Sequence, residues 1–150
     1  MTAIAVIAAI LVGIGLLQAA VWIPLFGSWR RKSDAFLSDL RAEMTAAGER
    51  FVIEPERAVY RGCTGPYGKV RGNGTMLLTD RRVIFRKLTG GPVEVPVVRI
   101  TEVGEAASFL ASRVAGQTHL VISTSDPAQL GFFVTDLDAW RRALESVRST

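Results

Sequence analysis

Hydrophobic and polar positions follow three different patterns along the 150 residues of the chain. Ala3 to Phe26 is almost uniformly apolar, and Gln18 is its only strongly polar side chain. Ser33 to Ala47 places apolar residues at helical spacing, and from residue 58 onward they recur in short, strand-like runs. These patterns predict an apolar N-terminal helix, an amphipathic helix and a β-rich remainder.

The N-terminal segment is long enough to span a membrane. Its 29 residues before Arg30 contain no Asp, Glu, Lys, Arg or His. A helix of the length of Ala3 to Phe26 extends roughly 36 Å, against about 30 Å of hydrocarbon. Trp22 and Trp29 lie near its end, where indoles favour the lipid–water boundary. A cleaved signal peptide would have a basic start and a shorter apolar core, so we predict a retained transmembrane anchor.

Basic residues after this span predict its orientation. Arg30, Arg31 and Lys32 follow it directly, and no Lys or Arg precedes it. Because positive charge stays on the cytoplasmic side, we predict a single-pass protein of the cell (plasma) membrane with its N-terminus outside. Small residues four apart in the span, such as Ala5, Ala9 and Gly13, are typical of helix pairs, so a homodimer is an alternative to a monomer.

The second pattern predicts an amphipathic helix over Ser33 to Ala47. Ser33 suits its N-cap, Gly48 can end it, and apolar residues from Phe36 to Met44 share one face. Three roles are open for that face: packing on the following domain, lying on the membrane surface, or pairing with a second copy of the chain.

The third pattern predicts strands separated by turn residues. Asp80-Arg81 is expected to join two strands as a hairpin, and Gly116-Gln117 to join two more. Asp136 is expected to cap a closing helix that carries Leu137, Trp140 and Leu144 on one stripe. The predicted strands cover residues 58–63, 73–79, 82–88, 93–103 (broken at Pro96), 107–115, 118–125 and 130–135.

The formal net charge of +4 is unevenly distributed. Residues 33–56 contain two basic and six acidic residues, which gives −4, whereas residues 57–99 contain nine basic and two acidic residues, which gives +7. A basic half next to a predicted membrane anchor indicates an acidic partner, with anionic lipid the nearest candidate.

The stretch GNGTMLLTDRRVIFRKL, followed by VPVVRITEV and FFVTDLDAWRRALESV, resembles the GRAM and bacterial pleckstrin-homology-like (PH-like) domains. The resemblance covers roughly residues 55–148 and implies a lipid- or protein-binding module without a common catalytic activity. It implies a mainly β fold: a seven-stranded, bent PH-like sheet or barrel capped by a C-terminal α-helix. One transmembrane helix and the short amphipathic helix are expected before it.

Basic residues around the first loop are the candidate binding residues. The resemblance to PH domains implies one further match. Lys69-Val70-Arg71 has the spacing of the Lys/Arg-x-Arg cluster in phosphoinositide-binding PH domains. For Arg81 and Arg82 the favoured interpretation is turn formation with exposure to solvent, which needs no ligand. The predicted contact residues for an anionic headgroup or a protein partner are Arg61, Tyr67, Lys69, Arg71, Arg81 and Arg82, and those at the membrane interface are Trp22, Trp29, Arg30, Arg31 and Lys32.

Signals for catalysis and cofactors are weak. Five residues separate Gly62 from Gly68, and Val70 follows Lys69, so the Gly-rich stretch does not match a phosphate-binding loop. His119 lies in an apolar run, where a strand residue is expected, and the single cysteine, Cys63, gives no metal-ligand spacing. Few aromatics accompany the basic residues, which argues against nucleic acid. We therefore expect no catalytic residues, no metal and no cofactor.

The sequence predicts three parts: an anchor over 1–29, a basic juxtamembrane segment and linker helix over 30–54, and a PH-like domain over 55–150. The predicted function is a non-catalytic protein-binding adaptor or accessory subunit at the cytoplasmic membrane face. The expected partners are the lipid bilayer and a membrane or cytoplasmic protein. The alternative is a module that binds anionic lipid headgroups through the basic first loop.

Overall fold

A computed structural model describes residues 35–87 and 90–150. The chain divides into two compact units, Met1–Ala46 and Ala47–Thr150. In the first unit, residues 35–46 form a helix, α1, within the range predicted for the amphipathic helix. The predicted anchor over 1–29 and the basic residues that follow it lie outside the described residues.

The described residues of the second unit form seven strands, a 3₁₀ turn and one helix. The strands are β1 (Phe51–Cys63), β2 (Gly72–Thr79), β3 (Arg82–Lys87), β4 (Val93–Pro96), β5 (Ile100–Ala106), β6 (His119–Thr124) and β7 (Ala128–Phe133). The 3₁₀ turn Val97–Arg99 joins β4 to β5, and α2 (Leu137–Arg148) closes the chain. Neighbouring strands pair antiparallel, in the order β4-β3-β2-β1-β7-β6-β5.

This architecture corrects the predicted fold class. The described residues form one open, mainly β, antiparallel sheet of seven strands with two helices, and they contain neither a closed barrel nor a transmembrane helix. Strands β4 and β5 are its two edges, and the 3₁₀ turn at Val97–Arg99 carries the chain from one to the other without pairing them. No helix among residues 35–87 and 90–150 is long and apolar enough to cross a membrane.

Two strand predictions are also wrong. β1 begins at Phe51, seven residues before the predicted start, because the register shift between Ile53 and Glu56 accommodates Pro55 in an irregular part of the strand. Residues 107–115 form a folded-back turn, so the hairpin predicted at Gly116-Gln117 does not form, and β6 pairs with β5 instead. The hairpin around Asp80-Arg81 is confirmed by the pairing of β2 with β3.

One face of the sheet, here called the inner face, carries the core of the second unit. Tyr60, Phe85 and Phe132 meet at its centre, with ring centroids 5.1 to 5.8 Å apart. Fully burying an aromatic or large aliphatic side chain contributes about 1.5–3 kcal/mol. Helix α2 adds Trp140 and Leu144 to this core, as its apolar stripe predicts. The opposite, outer face positions the candidate site.

The start of α2 follows its sequence signals. The side chain of Asp136 accepts a hydrogen bond from the backbone N–H of Ala139 at 2.9 Å, which confirms the predicted N-cap. The indole N–H of Trp140 donates to Glu56 Oε1 on β1 at 2.7 Å. Near the other end of the helix, Arg148 donates to the carbonyl of Thr101 on edge strand β5, also at 2.7 Å. The helix is therefore attached to the sheet by polar bonds as well as by its apolar stripe.

Candidate functional site: the first loop and the folded-back turn

The structure separates the predicted contact residues into two groups. Arg81 and Arg82 lie at the β2–β3 turn, whereas the first loop, residues 64–71, leads into the other end of β2. The eight residues of β2 hold the two ends roughly 23 Å apart, at a rise of about 3.3 Å per residue. The group at the first loop consists of Arg61, Tyr67, Lys69 and Arg71. The five predicted interface residues, Trp22, Trp29, Arg30, Arg31 and Lys32, lie outside the described residues.

Charges at the β2–β3 turn serve the fold. Arg82 forms ion pairs with Glu49 at 2.9 Å and with Glu94 at 2.7 Å. The Asp80 carboxylate accepts a hydrogen bond from the backbone N–H of Arg50 at 3.1 Å. This bond, and the nearby Arg50 side chain, lower the pKa of Asp80 below its ordinary value. The local geometry supports the interpretation of Asp80-Arg81-Arg82 as turn residues.

At the opposite end, the first loop meets the folded-back turn over Gly62 of β1. Gly62 has φ +109°, and a methyl group built on it would lie 3.1 Å from Leu110 Cδ1. The same methyl group would lie 3.6 Å from the carbonyl oxygen of Lys69 and 3.8 Å from Arg71 Cγ. These atoms surround one point, so the loop and the turn form a continuous surface.

The folded-back turn has an unusual backbone. Phe109 and Ser112 exchange two backbone hydrogen bonds, at 2.9 and 2.8 Å. The two residues between them, Leu110 and Ala111, have φ of 47° and 58°. Consecutive positive φ values are typical of a type I′ turn, which normally contains Asn or Gly. Two ordinary L-residues in this conformation store backbone strain, which surrounding contacts must offset.

Three contacts hold the turn in place. The Arg61 guanidinium donates a hydrogen bond to the Ser112 hydroxyl. Arg71 Nη2 donates to the carbonyl of Leu110 at 2.7 Å. The ring of Phe109 fills the space left by Gly131, where a Cβ atom would come within 2.4 Å of the ring. Two of the predicted binding residues, Arg61 and Arg71, therefore position the turn.

His119 packs beneath this turn. Its ring lies 4.3 Å from the Phe133 ring and 6.2 Å from the Phe109 ring, measured between centroids. Nδ1 is 3.0 Å from the carbonyl of Ala106 and donates to it, because a carbonyl oxygen can only accept. The side chain is fully buried, which agrees with the interpretation of His119 as a strand residue.

Tyr67 also has a structural partner. Its hydroxyl donates to Asp126 Oδ2 at 3.2 Å, and Arg99 pairs with the same oxygen at 2.9 Å. Burial and the bond to Asp126 raise the pKa of Tyr67 above its ordinary value. Tyr67 therefore anchors the first loop to the β6–β7 turn.

Several basic side chains surround the first loop and the folded-back turn. Lys69, Arg71 and Arg113 are exposed. Lys87 reaches the loop from β3, because its Nζ would be 3.4 Å from a methyl group on Gly68, and it lies 5.2 Å from the centroid of the Tyr60 ring. Neither residues 57–79 nor residues 106–125 contain Asp or Glu.

Exposed aliphatic side chains occur in the same two segments as these cations. Val70 is 71% exposed, and Leu110 and Val114 are each 38% exposed. We call the combined region the loop–turn surface. It consists of Lys69, Val70, Arg71, Leu110, Arg113 and Val114.

Sequence reasoning identified only the loop half of this surface. Leu110, Arg113 and Val114 were expected within a strand, although Arg113 in an acid-free stretch was a visible signal. Lys87 was also missed, because only the pairing of β3 with β2 brings it to the loop. Among residues 35–87 and 90–150, no cluster of three or more His, Cys, Asp or Glu side chains could hold a metal ion.

Comparisons with known proteins give one structural similarity, which concerns the fold. No protein-family model matches the chain, and no curated protein sequence is similar to it. Among solved structures, the chain is similar to the C-terminal domain of an unknown protein from Leishmania infantum, with a TM-score of 0.54 and 14% identity. That similarity covers 75% of this chain and 97% of the other. At this identity the match shows a shared fold alone.

Proposed function

We propose that this chain is a non-catalytic protein-binding adaptor or accessory subunit that docks its partner on the loop–turn surface. The observation that carries the proposal is the strained turn at Leu110-Ala111, held rigid by Arg61, Arg71 and Phe109. A side chain that is exposed and fixed before binding loses little entropy when a partner covers it. Backbone strain in an exposed turn is a recognised mark of functional sites.

The resemblance to GRAM and PH-like domains supports the same class of function, because members of those families bind lipids or proteins. The predicted location at the cytoplasmic membrane face depends on residues outside the described ones and stays a prediction.

Photo-crosslinking of the full chain in its native host tests the proposal. A photoreactive amino acid is placed at Val70, and in a matched control at Val98, which is 92% exposed on the 3₁₀ turn. We expect a discrete protein adduct from position 70 that is absent from position 98. The adduct should weaken when Leu110→Ser is added, because this change removes the aliphatic side chain that the strained turn contributes to the loop–turn surface. Adducts with lipid alone, or identical adducts from both positions, would contradict the proposal.

A second function, binding of an anionic lipid headgroup, is favoured by the position of Lys87. This residue adds a third cation to Lys69 and Arg71 around the first loop. The test measures the excess binding of the full chain to phosphatidylserine-containing vesicles over pure phosphatidylcholine vesicles. If lipid is the ligand, the excess should decline between 0.1 M and 1 M salt, as the screening length shortens from about 10 Å to about 3 Å. It should also disappear when all three residues become Gln.

A further inference from the structure

The charges of the loop–turn surface constrain what can bind there. Its three cations have no acidic residue beside them in either segment. The side chains of Lys69 and Arg113 have no hydrogen bond or ion pair with any residue that the structure describes. Arg71 uses one nitrogen for the Leu110 carbonyl and keeps other N–H donors for a ligand. The surface is thus an unneutralised cluster of cations.

The aliphatic side chains of the same surface constrain the ligand further. Leu110 accepts a hydrogen bond from Arg71 through its carbonyl and belongs to the same folded-back turn as Arg113 and Val114. A ligand that covers Leu110 therefore lies near cations of both segments. Burial of an apolar contact would also strengthen the ion pairs at its rim, because it excludes water from them.

We infer, on the basis of the proposed function, that the partner presents an acidic and apolar protein segment. A large aliphatic or aromatic side chain of this segment packs on Val70, Leu110 and Val114. Carboxylates on either side of it pair with Lys69, Arg71 and Arg113. Arginine can accept a carboxylate through two parallel N–H donors, so Asp or Glu beside the apolar residue fits Arg71 and Arg113.

The exposure of the aliphatic residues favours a protein over a bilayer. Leu110 and Val114 are more than half buried, and only Val70 projects strongly from the surface. No Trp, Tyr or Phe belongs to the surface, although aromatic residues are the usual side chains at a lipid–water boundary. One projecting valine inserts little apolar area into a membrane, whereas a shallow apolar patch with cations around it suits a complementary protein surface.

Selection from a random peptide library on the purified full chain tests this inference. The charge-reversed variant carries Lys69→Glu and Arg113→Glu. The control carries Arg57→Glu and Arg142→Glu, two exposed arginines outside the loop–turn surface. Both variants have the same net charge, so non-specific attraction changes equally. Thermal melting of each protein verifies that it is folded.

We expect the parent chain to select peptides that combine Asp or Glu with a large apolar residue. Their affinity should fall roughly tenfold or more in the charge-reversed variant and remain near the parent value in the control. Selection of neutral or basic peptides, or equal affinity for both variants, would overturn the inference. A photo-adduct at Val70 with a protein would still support the proposed function in that case.

Vesicles provide the remaining comparison. If no peptide is selected and the charge-reversed variant alone loses binding to phosphatidylserine-containing vesicles, the occupant is a membrane and the inference is wrong. An absence of both peptide and vesicle binding would overturn it as well.

Discussion

Gly131 leaves a space on the outer face of β7 that the ring of Phe109 fills. Its neighbours Leu130 and Phe132 point to the core, so Gly131 faces the folded-back turn. The absence of a side chain at one position therefore determines where a segment more than twenty residues earlier in the chain can rest. Single residues of this kind connect the strands to the candidate site.

Gly131→Ala should displace the folded-back turn. The new methyl group would lie within 2.4 Å of the Phe109 ring, and overpacking of this kind typically costs about 1–3 kcal/mol. Urea denaturation of the full chain measures the loss. Gly104→Ala is the control, because nothing lies within 4 Å of its added methyl group. The double variant with Phe109→Ala should lose less than the sum of the single changes, since the clash is then absent. Additive losses would contradict the seating of Phe109 on Gly131.

Asp80 should make stability depend on pH. Its lowered pKa means that the folded state favours the carboxylate. This contribution is present above the ordinary pKa of about 4 and is lost as the pH falls through the lower, folded-state value. The melting temperature of Asp80→Asn should lie below that of the parent at neutral pH. The difference should shrink on acidification below about pH 4. Parallel curves for the two proteins down to low pH would contradict the contact between Asp80 and Arg50.

The folded-back turn is the element in which local preference and tertiary contact conflict. Its type I′ geometry requires a conformation that Leu110 and Ala111 rarely adopt, yet Arg61 and Arg71 hold both ends of it. This cost has a functional explanation if Leu110 is the contact that a partner recognises. The conflict can be relieved without changing that side chain.

Ala111→Gly should stabilise the protein. Relief of the left-handed strain outweighs the extra freedom of Gly in the unfolded chain, so we expect a gain of about 0.5–1 kcal/mol. The measurement is again urea denaturation of the full chain. Ala115→Gly is the control, because Ala115 is exposed and does not have positive φ, and it should give no gain. If both changes have the same effect, the turn at 110–111 is not strained.

Helix α2 depends on a polar contact as well as on its apolar stripe. Glu56→Ala would leave the buried indole N–H of Trp140 without its acceptor, which typically costs about 1–3 kcal/mol. Glu56→Gln keeps an oxygen acceptor and should lose less. Glu145→Ala, on the exposed side of the same helix, should have little effect. Equal losses for Glu56→Ala and Glu56→Gln would mean that the indole bond does not stabilise the helix.

At the scale of the second unit, basic residues at the two ends of β2 differ in how they are paired. At the β2–β3 turn, Arg82 is neutralised by Glu49 and Glu94. At the loop–turn surface, Lys69 and Arg113 have no partner among the described residues. Stability should therefore be sensitive to charge changes at one end of the sheet, and binding to charge changes at the other.

Arg82→Gln should destabilise the fold by about 1–3 kcal/mol, because it leaves the carboxylate of Glu49, whose side chain is 6% exposed, without its cation. Lys69→Gln should change stability by less than about 0.5 kcal/mol, as is usual at exposed positions. Urea denaturation of the two variants compares the ends directly. A similar loss from both substitutions would remove the distinction between structural and binding cations.

Several elements were predictable because their signals are local. The β2–β3 hairpin, the Asp136 cap and the apolar stripe of α2 depend on neighbouring residues and on short-range periodicity. Prediction failed where the same local sequence pattern is compatible with two different structures. β1 extends back through Pro55 in an irregular part of the strand, and the apolar run at 107–115 covers the sheet instead of joining it.

The candidate site was only partly predictable. Lys69 and Arg71 are two positions apart in sequence and were recognised from their spacing, whereas Leu110 and Arg113 reach the same surface only through the contacts over Gly62 and Gly131. Arg82 was grouped with the loop residues because sequence distance does not show that Glu49, 33 residues earlier, neutralises it.

By itself, the sequence determined where most strands and the last helix lie. Apolar alternation, turn residues and helix caps each depend on residues only a few positions apart. It also determined the excess of positive charge in residues 57–99. Only the tertiary structure decided which cations are paired, and that the first loop and the folded-back turn share one surface. The physical reason is that ion pairing and packing depend on distance in space, which the pairing of strands sets between residues far apart in the chain.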